Sequence, residues 1–277
     1  MLRPLPETTP RLESLDLPEQ VGAFARARSG FVAVAGFFGS GKSTTLAALV
    51  GAMNQDPSRH IVTIEDPIEF VHRHRASIVD QREVGIDTAS FAVALRNAMR
   101  EAPDLIVIGE IRDRETMQHA ISYAETGHLC LATLHANNAS LALERIVHFF
   151  PEDARDQLLL DLSLNLEAVV SLRLVAARGG RRVPAVEVLL RTGHVSQLVA
   201  KGELAMLRDA MKAGRDVGMQ TFDQALFDLW RAGRVEPADA LALADSRNDL
   251  ALAMRLDADG APPARDAALA IEPTAEE

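Results

Sequence analysis

Four short apolar runs punctuate the first half of the chain: Phe31–Ala35, Ile61–Glu65, Leu105–Ile108 and Leu129–Leu134. Runs of this length without polar alternation are strands buried on both faces. Between them apolar positions recur at helical spacing over Lys42–Met53, Phe91–Glu101, Arg114–Glu125 and Ala139–Phe149, with Asp113 placed to cap a helix and Gly127 to stop one. The alternation predicts an α/β fold, a mostly parallel sheet covered by helices. A long amphipathic stretch then runs from Pro151 to about Val175, and Arg182–Leu190 alternates like one more strand. From Val195 to Arg255 leucine and alanine return at helical spacing, broken at Gly202, Gly214, Gly218, Gly233 and Pro237. Those breaks predict four or five short helices forming a small C-terminal bundle. The expected organisation is a lead-in over 1–27, an α/β core over 28–192, a helical subdomain over 193–256 and a disordered tail over 257–277, which is rich in Ala, Pro, Asp and Glu.

Composition narrows the function. With 277 residues, 48% hydrophobic and 25% charged, the chain has enough material for one sizeable core and a small accessory unit. Its formal net charge of −10 is the wrong sign for tracking phosphate backbones, so no nucleic-acid partner is expected. Cys130 is the single cysteine, which excludes an internal disulfide and a thiolate-rich zinc site. No apolar run is long enough to span a bilayer and the first residues lack a signal-peptide core, so a cytoplasmic protein is expected, peripheral to any membrane it serves.

The chemistry starts at Gly36-Phe37-Phe38-Gly39-Ser40-Gly41-Lys42-Ser43, which fits G-x-x-x-x-G-K-[ST] between an apolar strand and a helix. In such a loop Gly36, Gly39 and Gly41 let successive backbone N–H groups, with those of Ser40 and Thr44, curl around an anion at a helix N-terminus. Lys42 would reach the terminal phosphates of ATP, and the Ser43 hydroxyl would help hold Mg²⁺. With three lysines in the chain (42, 201 and 212), the pattern arises by chance only about once in a thousand such chains.

Hydrolysis needs acids as well. Asp104–Glu110 is an apolar strand ending in a carboxylate, the place of a Mg²⁺-orienting acid. Glu65, Asp66 and Glu69 crowd the end of another strand, a density of negative charge that suits a metal- and water-handling loop and equally a solvated turn. His128 and His135 flank Leu129–Leu134 in opposite side-chain phase, so a shared metal is not expected. His135, at the carboxyl end, is a candidate sensor of the γ-phosphate and equally a satisfied polar histidine. Arg96, Arg100 and Arg112 lie near the acids in sequence and are candidates for stabilising transition-state charge, in cis or across a subunit boundary, or for ordinary ion pairing.

Taken together, GSGKSTTLAA (39–48), VTIEDPIEFVH (62–72), QREVGIDTASF (81–91), ALRNAMREAPDLIVIGEIRD (94–113), AETGHLCLATLHANNA (124–139) and GMQTFDQAL (218–226) resemble the type II/IV secretion ATPase superfamily. The resemblance is strongest to its PilT-like type IV pilus retraction ATPases, over roughly residues 28 to 255. It implies a RecA-like P-loop domain, with Lys42 and Ser43 in the Walker A motif and Glu65–Glu69 in an Asp box. It implies Glu69 as the water-activating glutamate, Glu110 as the Walker B acid, and His128 and His135 at His-box positions. The implied activity is Mg²⁺-dependent ATP hydrolysis powering pilus retraction. The implied partners are copies of itself in a homohexamer, family paralogues and an inner-membrane pilus platform protein. The zinc module of assembly-type relatives is missing, since 175–182 contains no cysteine pair.

Three positions depart from the family pattern. Phe37 and Phe38 stand where Pro and Thr are usual, residues 1–27 are too few for the PAS-like domain that precedes the motor, and Ser196 replaces the arginine of the AIRNLI motif. The last two differences raise an alternative: an accessory ATP-binding member that joins or regulates a ring of full-length paralogues, or another secretion-system ATPase.

Overall fold

The computed structural model describes residues 8–56 and 59–260. A short helix α1 (Glu19–Ala23) leads into β1 (Gly30–Gly36), the phosphate-loop sequence and α2 (Lys42–Met53). Then follow β2 (His60–Glu65), β3 (Ile78–Glu83), α3 (Phe91–Ala98), β4 (Leu105–Ile108), α4 (Arg114–Glu125) and β5 (Leu129–Leu134). The second half holds α5 (Ala139–His148), α6 (Glu152–Asn165), β6 (Leu166–Ala176), β7 (Arg182–Leu190) and the helices α7 (Gly193–Ala200), α8 (Leu207–Ala213), α9 (Phe222–Arg231), α10 (Pro237–Ala242) and α11 (Arg247–Gly260).

The strands form one sheet in the order β3-β2-β4-β5-β1-β6-β7, parallel throughout except for the antiparallel β6–β7 pair. Period-two side-chain alternation splits its residues between two apolar faces. One face carries Phe31, Ala33, Val62, Ile64, Ile106 and Ile108 under helices that include α3, α4 and α5. The other carries Val32, Val34, Ile61, Leu105 and Leu129 under α2 and the α1 turn. Each fully buried large apolar side chain, such as Leu49, Met53 or Ile61, contributes about 1.5–3 kcal/mol to this three-layer arrangement. The layering puts the carboxyl ends of β1, β2, β4 and β5 at one edge, where α/β proteins bind ligands.

The helix caps follow the sequence. Asp113 accepts the Thr116 N–H at 2.8 Å, Asn138 accepts that of Leu141 at 2.9 Å, and Gly127 ends α4 at a φ of 85°.

Four expectations are corrected. The stretch after Pro151 is not one amphipathic element but α6 followed at once by the strand β6, whose turn-free start hides the change. A strand absent from the sequence reading, β3, forms the sheet edge. The C-terminal helices do not form a single bundle: α7 and α8 pack on the main core through Val195, Leu198, Leu207 and Met211, while α9 to α11 close a separate cluster against the tips of β6 and β7. Finally, 257–260 belong to α11, and the rest of the tail, 261–277, lies outside the described residues, as do 1–7 of the lead-in. From residue 8 onward the lead-in is folded, with Val21 and Phe24 buried in the α2-side core. Among the described residues no helix is long and apolar enough to cross a membrane.

Candidate functional site

The Gly36–Ser43 loop leaves β1 at the centre of the sheet. Gly36 is obligatory there: its φ is 152°, and a Cβ would lie 2.3 Å from Ser40 Oγ and 2.8 Å from the Leu172 carbonyl. Gly39 and Gly41 take left-handed φ values of 73° and 102°, which aim the chain into α2. Lys42 is buried and donates from Nζ to the carbonyls of Gly36 and Phe37, both at 2.9 Å. Burial lowers its pKa, while the charges of Glu110 and Glu69 act in the opposite sense. Ser40 Oγ is buried and has no hydrogen-bond partner among the described residues. An ammonium resting on loop carbonyls beside an unspent hydroxyl suits an anion that would take both over.

Facing this loop, β2 and β4 deliver the acids. Gly109 lets the two strand ends approach, since a Cβ there would sit 3.1 Å from Glu65 Cα. Glu65 accepts from Thr63 Oγ1 at 2.7 Å and Gln81 Nε2 at 3.1 Å, and burial raises its pKa. Glu110 lies between two cations or donors: Arg112 at 2.7 Å and His135 Nε2 at 3.2 Å. Arg112 also reaches Asp66 at 3.3 Å, and its pKa is raised chiefly by its hydrogen bond to Glu110. His135 has its pKa lowered, first by burial and then by Lys42, while the charge of Glu110 acts in the opposite sense.

Lys42, Ser43, Thr44, Glu65, Glu69 and Glu110 line a single cleft of about 490 Å³, together with Arg112 and His135. Its oxygen donors, the Ser43 hydroxyl and the carboxylates, match the chemistry of a hard cation that keeps several waters and takes the remainder of its shell from phosphate. Among the described residues no three His, Cys, Asp or Glu side chains are grouped to hold a metal by themselves. Mg²⁺ therefore fits as a companion of the nucleotide.

Three candidates lie elsewhere. Arg96 pairs with Glu115 at 3.4 Å, and Arg100 lines a separate hollow beside Arg82 and Glu101. Both belong to α3 or the turn after it, so nearness to Glu110 in sequence does not carry them to the cleft. His128 sits at the amino end of β5, hydrogen-bonded to Thr126 at 3.0 Å, with its ring tilted at 36° against that of Tyr123. Sequence reasoning missed Gln81. From β3 its amide donates to Glu65 at 3.1 Å and to the Phe70 carbonyl at 2.9 Å, and its oxygen accepts the His72 N–H at 2.7 Å, tying the acidic loop to the sheet. A polar residue in a strand beside a cluster of carboxylates was the available signal.

Comparison with known proteins agrees with this geometry. The family model described as Type II/IV secretion system protein matches residues 14–181. The chain is 53% identical to the type IV pilus ATPase PilU of Pseudomonas aeruginosa over 92% of its own length and 67% of that protein's. It is 40% identical to the type IV pilus retractation ATPase PilT of the same organism over 87% of its own length and 70% of that protein's. The crystal structure of the pilus retraction motor PilT with bound ADP superposes with a TM-score of 0.85 at 42% identity, covering 90% of this chain and 71% of that one. The chain thus spans about two thirds of the length of these relatives.

Proposed function

The chain belongs to the type II/IV secretion system protein family, and from that premise we propose that it is an ATPase that hydrolyses Mg²⁺-ATP to drive retraction of a type IV pilus from the cytoplasmic base of the machine. The observation that carries the reading is the convergence of Lys42, Glu69, Glu110 and His135 on one cleft below the glycine loop. Four relatives or neighbours at 40% identity or more that are named pilus ATPases, pilus motors or twitching-motility proteins support the biological setting.

In this reading the phosphates displace the Gly36 and Phe37 carbonyls as partners of Lys42, and the loop N–H groups with Ser40 and Thr44 complete the cradle. Ser43 and Glu110 would hold Mg²⁺, which when bound supplies charge neutralisation on the β- and γ-phosphates. Glu69 takes a proton from the attacking water. His135 follows the position of Glu110 through its 3.2 Å contact, and Arg112 balances the negative charge of Glu110 and Asp66. The working unit would be a ring of copies docked on a membrane-embedded partner, the arrangement implied by the family.

Glu69→Gln is the direct test. Steady-state ATP hydrolysis should fall by about a hundredfold or more while nucleotide affinity holds, because a base contributes to the transition state and not to ground-state binding. Equal turnover in the two proteins would refute the role of Glu69.

A second reading is favoured by one observation: identity is higher to a relative named only a type IV pilus ATPase, at 53%, than to the one named a retractation ATPase, at 40%. On this reading the chain joins or regulates a ring of a paralogue. Native mass measured alone and with a PilT-like paralogue separates the two, since a homohexamer that ignores the paralogue supports the independent motor.

A further inference from the structure

At the same end of the sheet, but outside the cleft, one guanidinium joins three segments. Arg173 on β6 donates from Nη1 to the Leu243 carbonyl at 2.6 Å, and from Nη2 to the Asn137 carbonyl at 3.1 Å and to Asp245 Oδ1 at 2.6 Å. Its guanidinium carbon lies 3.8 Å from the centre of the Phe222 ring. Leu243 and Asp245 follow α10, Phe222 opens α9, and Asn137 stands two residues after His135. The planar fork of arginine spreads its donors over separate nitrogens and so reaches acceptors on divergent segments, whereas the three donors of a lysine radiate from one atom.

The neighbouring contact explains why this link would carry a displacement. Glu187 on β7 is buried and accepts the Ala139 N–H at 2.6 Å, fixing the first residue of α5. The segment from His135 to Asn138 is therefore clamped at its far end. With α5 held there, the contact nearest to a shift of His135 against Glu110 is the Asn137 carbonyl that Arg173 holds. From there the chain of contacts continues through Asp245, whose backbone N–H donates to Asp223 at 2.8 Å, and through Asp223 to Arg208 at 2.6 Å.

We propose that Arg173 is a positioning residue that couples the His135 loop to helices α9 to α11, so that nucleotide occupancy of the cleft is registered in the C-terminal cluster. The proposal rests on the nucleotide reading above.

The chain carries its own reporter, because its only tryptophan, Trp230, lies on α9 with its ring 5.5 Å from that of Phe227. Intrinsic emission is recorded for the full chain with and without saturating Mg²⁺-ADP, and affinity is measured separately by calorimetry. Wild type should bind and change its emission. Arg173→Met should bind within a factor of about three of wild type, as expected for a residue outside the cleft, yet lose most of the emission change. Arg173→Lys should resemble it, whereas a residue needed only for charge would be rescued. Should Arg173→Met fail to fold, Asp245→Ala removes one of the C-terminal contacts of Arg173, leaving the Leu243 and Asn137 bonds in place, and should shrink the response in part. A full emission change in these variants, or a silent Trp230 in wild type that binds Mg²⁺-ADP, overturns the coupling. Absence of binding in wild type instead overturns the nucleotide reading, and the coupling with it.

Discussion

The carboxyl edge of the sheet holds two regions that treat charge in opposite ways. In the cleft below β2 and β4, charged groups share partners. Glu110 divides its oxygens between Arg112 and His135, Arg112 divides its donors between Glu110 and Asp66, and Lys42 rests on two backbone carbonyls. At the β6–β7 junction each group is committed. Glu187 is buried on the Ala139 N–H, and Arg173 is bound to Leu243, Asn137 and Asp245. The cleft contacts can be exchanged for a ligand at small cost, because Lys42, Glu110, Arg112 and His135 line open space that a ligand can enter. Committed partners cannot, because a buried group that loses its hydrogen bond bears the whole desolvation penalty. The first arrangement suits binding and chemistry; the second suits transmission.

The largest effect should come from removing the most exchangeable group. Lys42→Ala deletes a cation from a site that receives polyphosphate, and hydrogen bonds to charged groups are each worth about 1.5–3 kcal/mol. Calorimetry should find Mg²⁺-ADP affinity reduced by about a hundredfold. The melting temperature should fall only modestly, since the buried bond lost is the one from Lys42 to the Gly36 carbonyl. A large loss of stability with intact binding would reverse the comparison.

At the junction the expected effect is on folding. Glu187→Ala leaves the Ala139 N–H buried without an acceptor and opens a cavity, which together should cost about 2–4 kcal/mol in denaturant unfolding. Glu187→Gln keeps a carbonyl acceptor and should cost under about 1.5 kcal/mol. If alanine is as well tolerated as glutamine, the contact is not a committed one.

Two buried titratable groups sharpen the contrast through pH. His72, beside the cleft, has an unpartnered Nδ1 and a pKa lowered by burial to about 4. Between that value and 6.5 the unfolded chain binds the extra proton, so His72 makes stability rise with pH over that window. Glu187 is pushed up by burial to about 7, with Asp245 raising it further and the Ala139 N–H, Ser171 and Arg173 opposing. Between 4.5 and 7 the unfolded state loses its proton first, so Glu187 makes stability fall with pH over almost the same range. The two slopes oppose each other. Unfolding free energies measured from pH 4 to 7 should therefore rise more steeply in Glu187→Gln and fall in His72→Asn, by differences on the order of 2 kcal/mol across the window. Parallel profiles in wild type and both variants would mean that neither group titrates with folding.

How much of this was legible in the sequence follows from burial. Strands β1, β2, β4 and β5 are apolar on both faces and declared themselves as uninterrupted runs. β3 reads Ile-Val-Asp-Gln-Arg-Glu because it is an edge strand with one open side, and so resembled a loop. β6 was hidden because its leucines and valines continue the apolar positions of α6 without a glycine or proline between them. The same logic governs the site. Lys42, Glu69, Glu110 and His135 come together in the cleft because each lies at or just beyond the carboxyl end of a strand or opens the helix after one. Arg96, Arg100 and His128 lie outside this chain's own cleft, because closeness along the chain says nothing about which end of the sheet a side chain reaches. The junction was invisible: Arg173, Glu187 and Asp245 are far apart in sequence, and only the antiparallel return of β7 brings Glu187 opposite Ser171 and next to the start of α5.

The smallest expected effect concerns the residues that looked most unusual. Phe38 is 88% exposed and Phe37 60%, so their rings add nothing to the core. What holds Lys42 is the Phe37 carbonyl, which any residue supplies, and the bend of the loop belongs to Gly36, Gly39 and Gly41. Phe37→Ala with Phe38→Ala should therefore leave stability within about 0.5 kcal/mol, the range of surface substitutions, and Mg²⁺-ADP affinity within a factor of about three. The outcome that would change the comparison is a tenfold or greater loss of affinity. It would mean that the phenyl rings fold over the bound phosphates and exclude water, since Phe38 already stands in the wall of the cleft. The exchangeable region would then include a cover as well as a floor, and its chemistry would depend on apolar area as much as on shared charge.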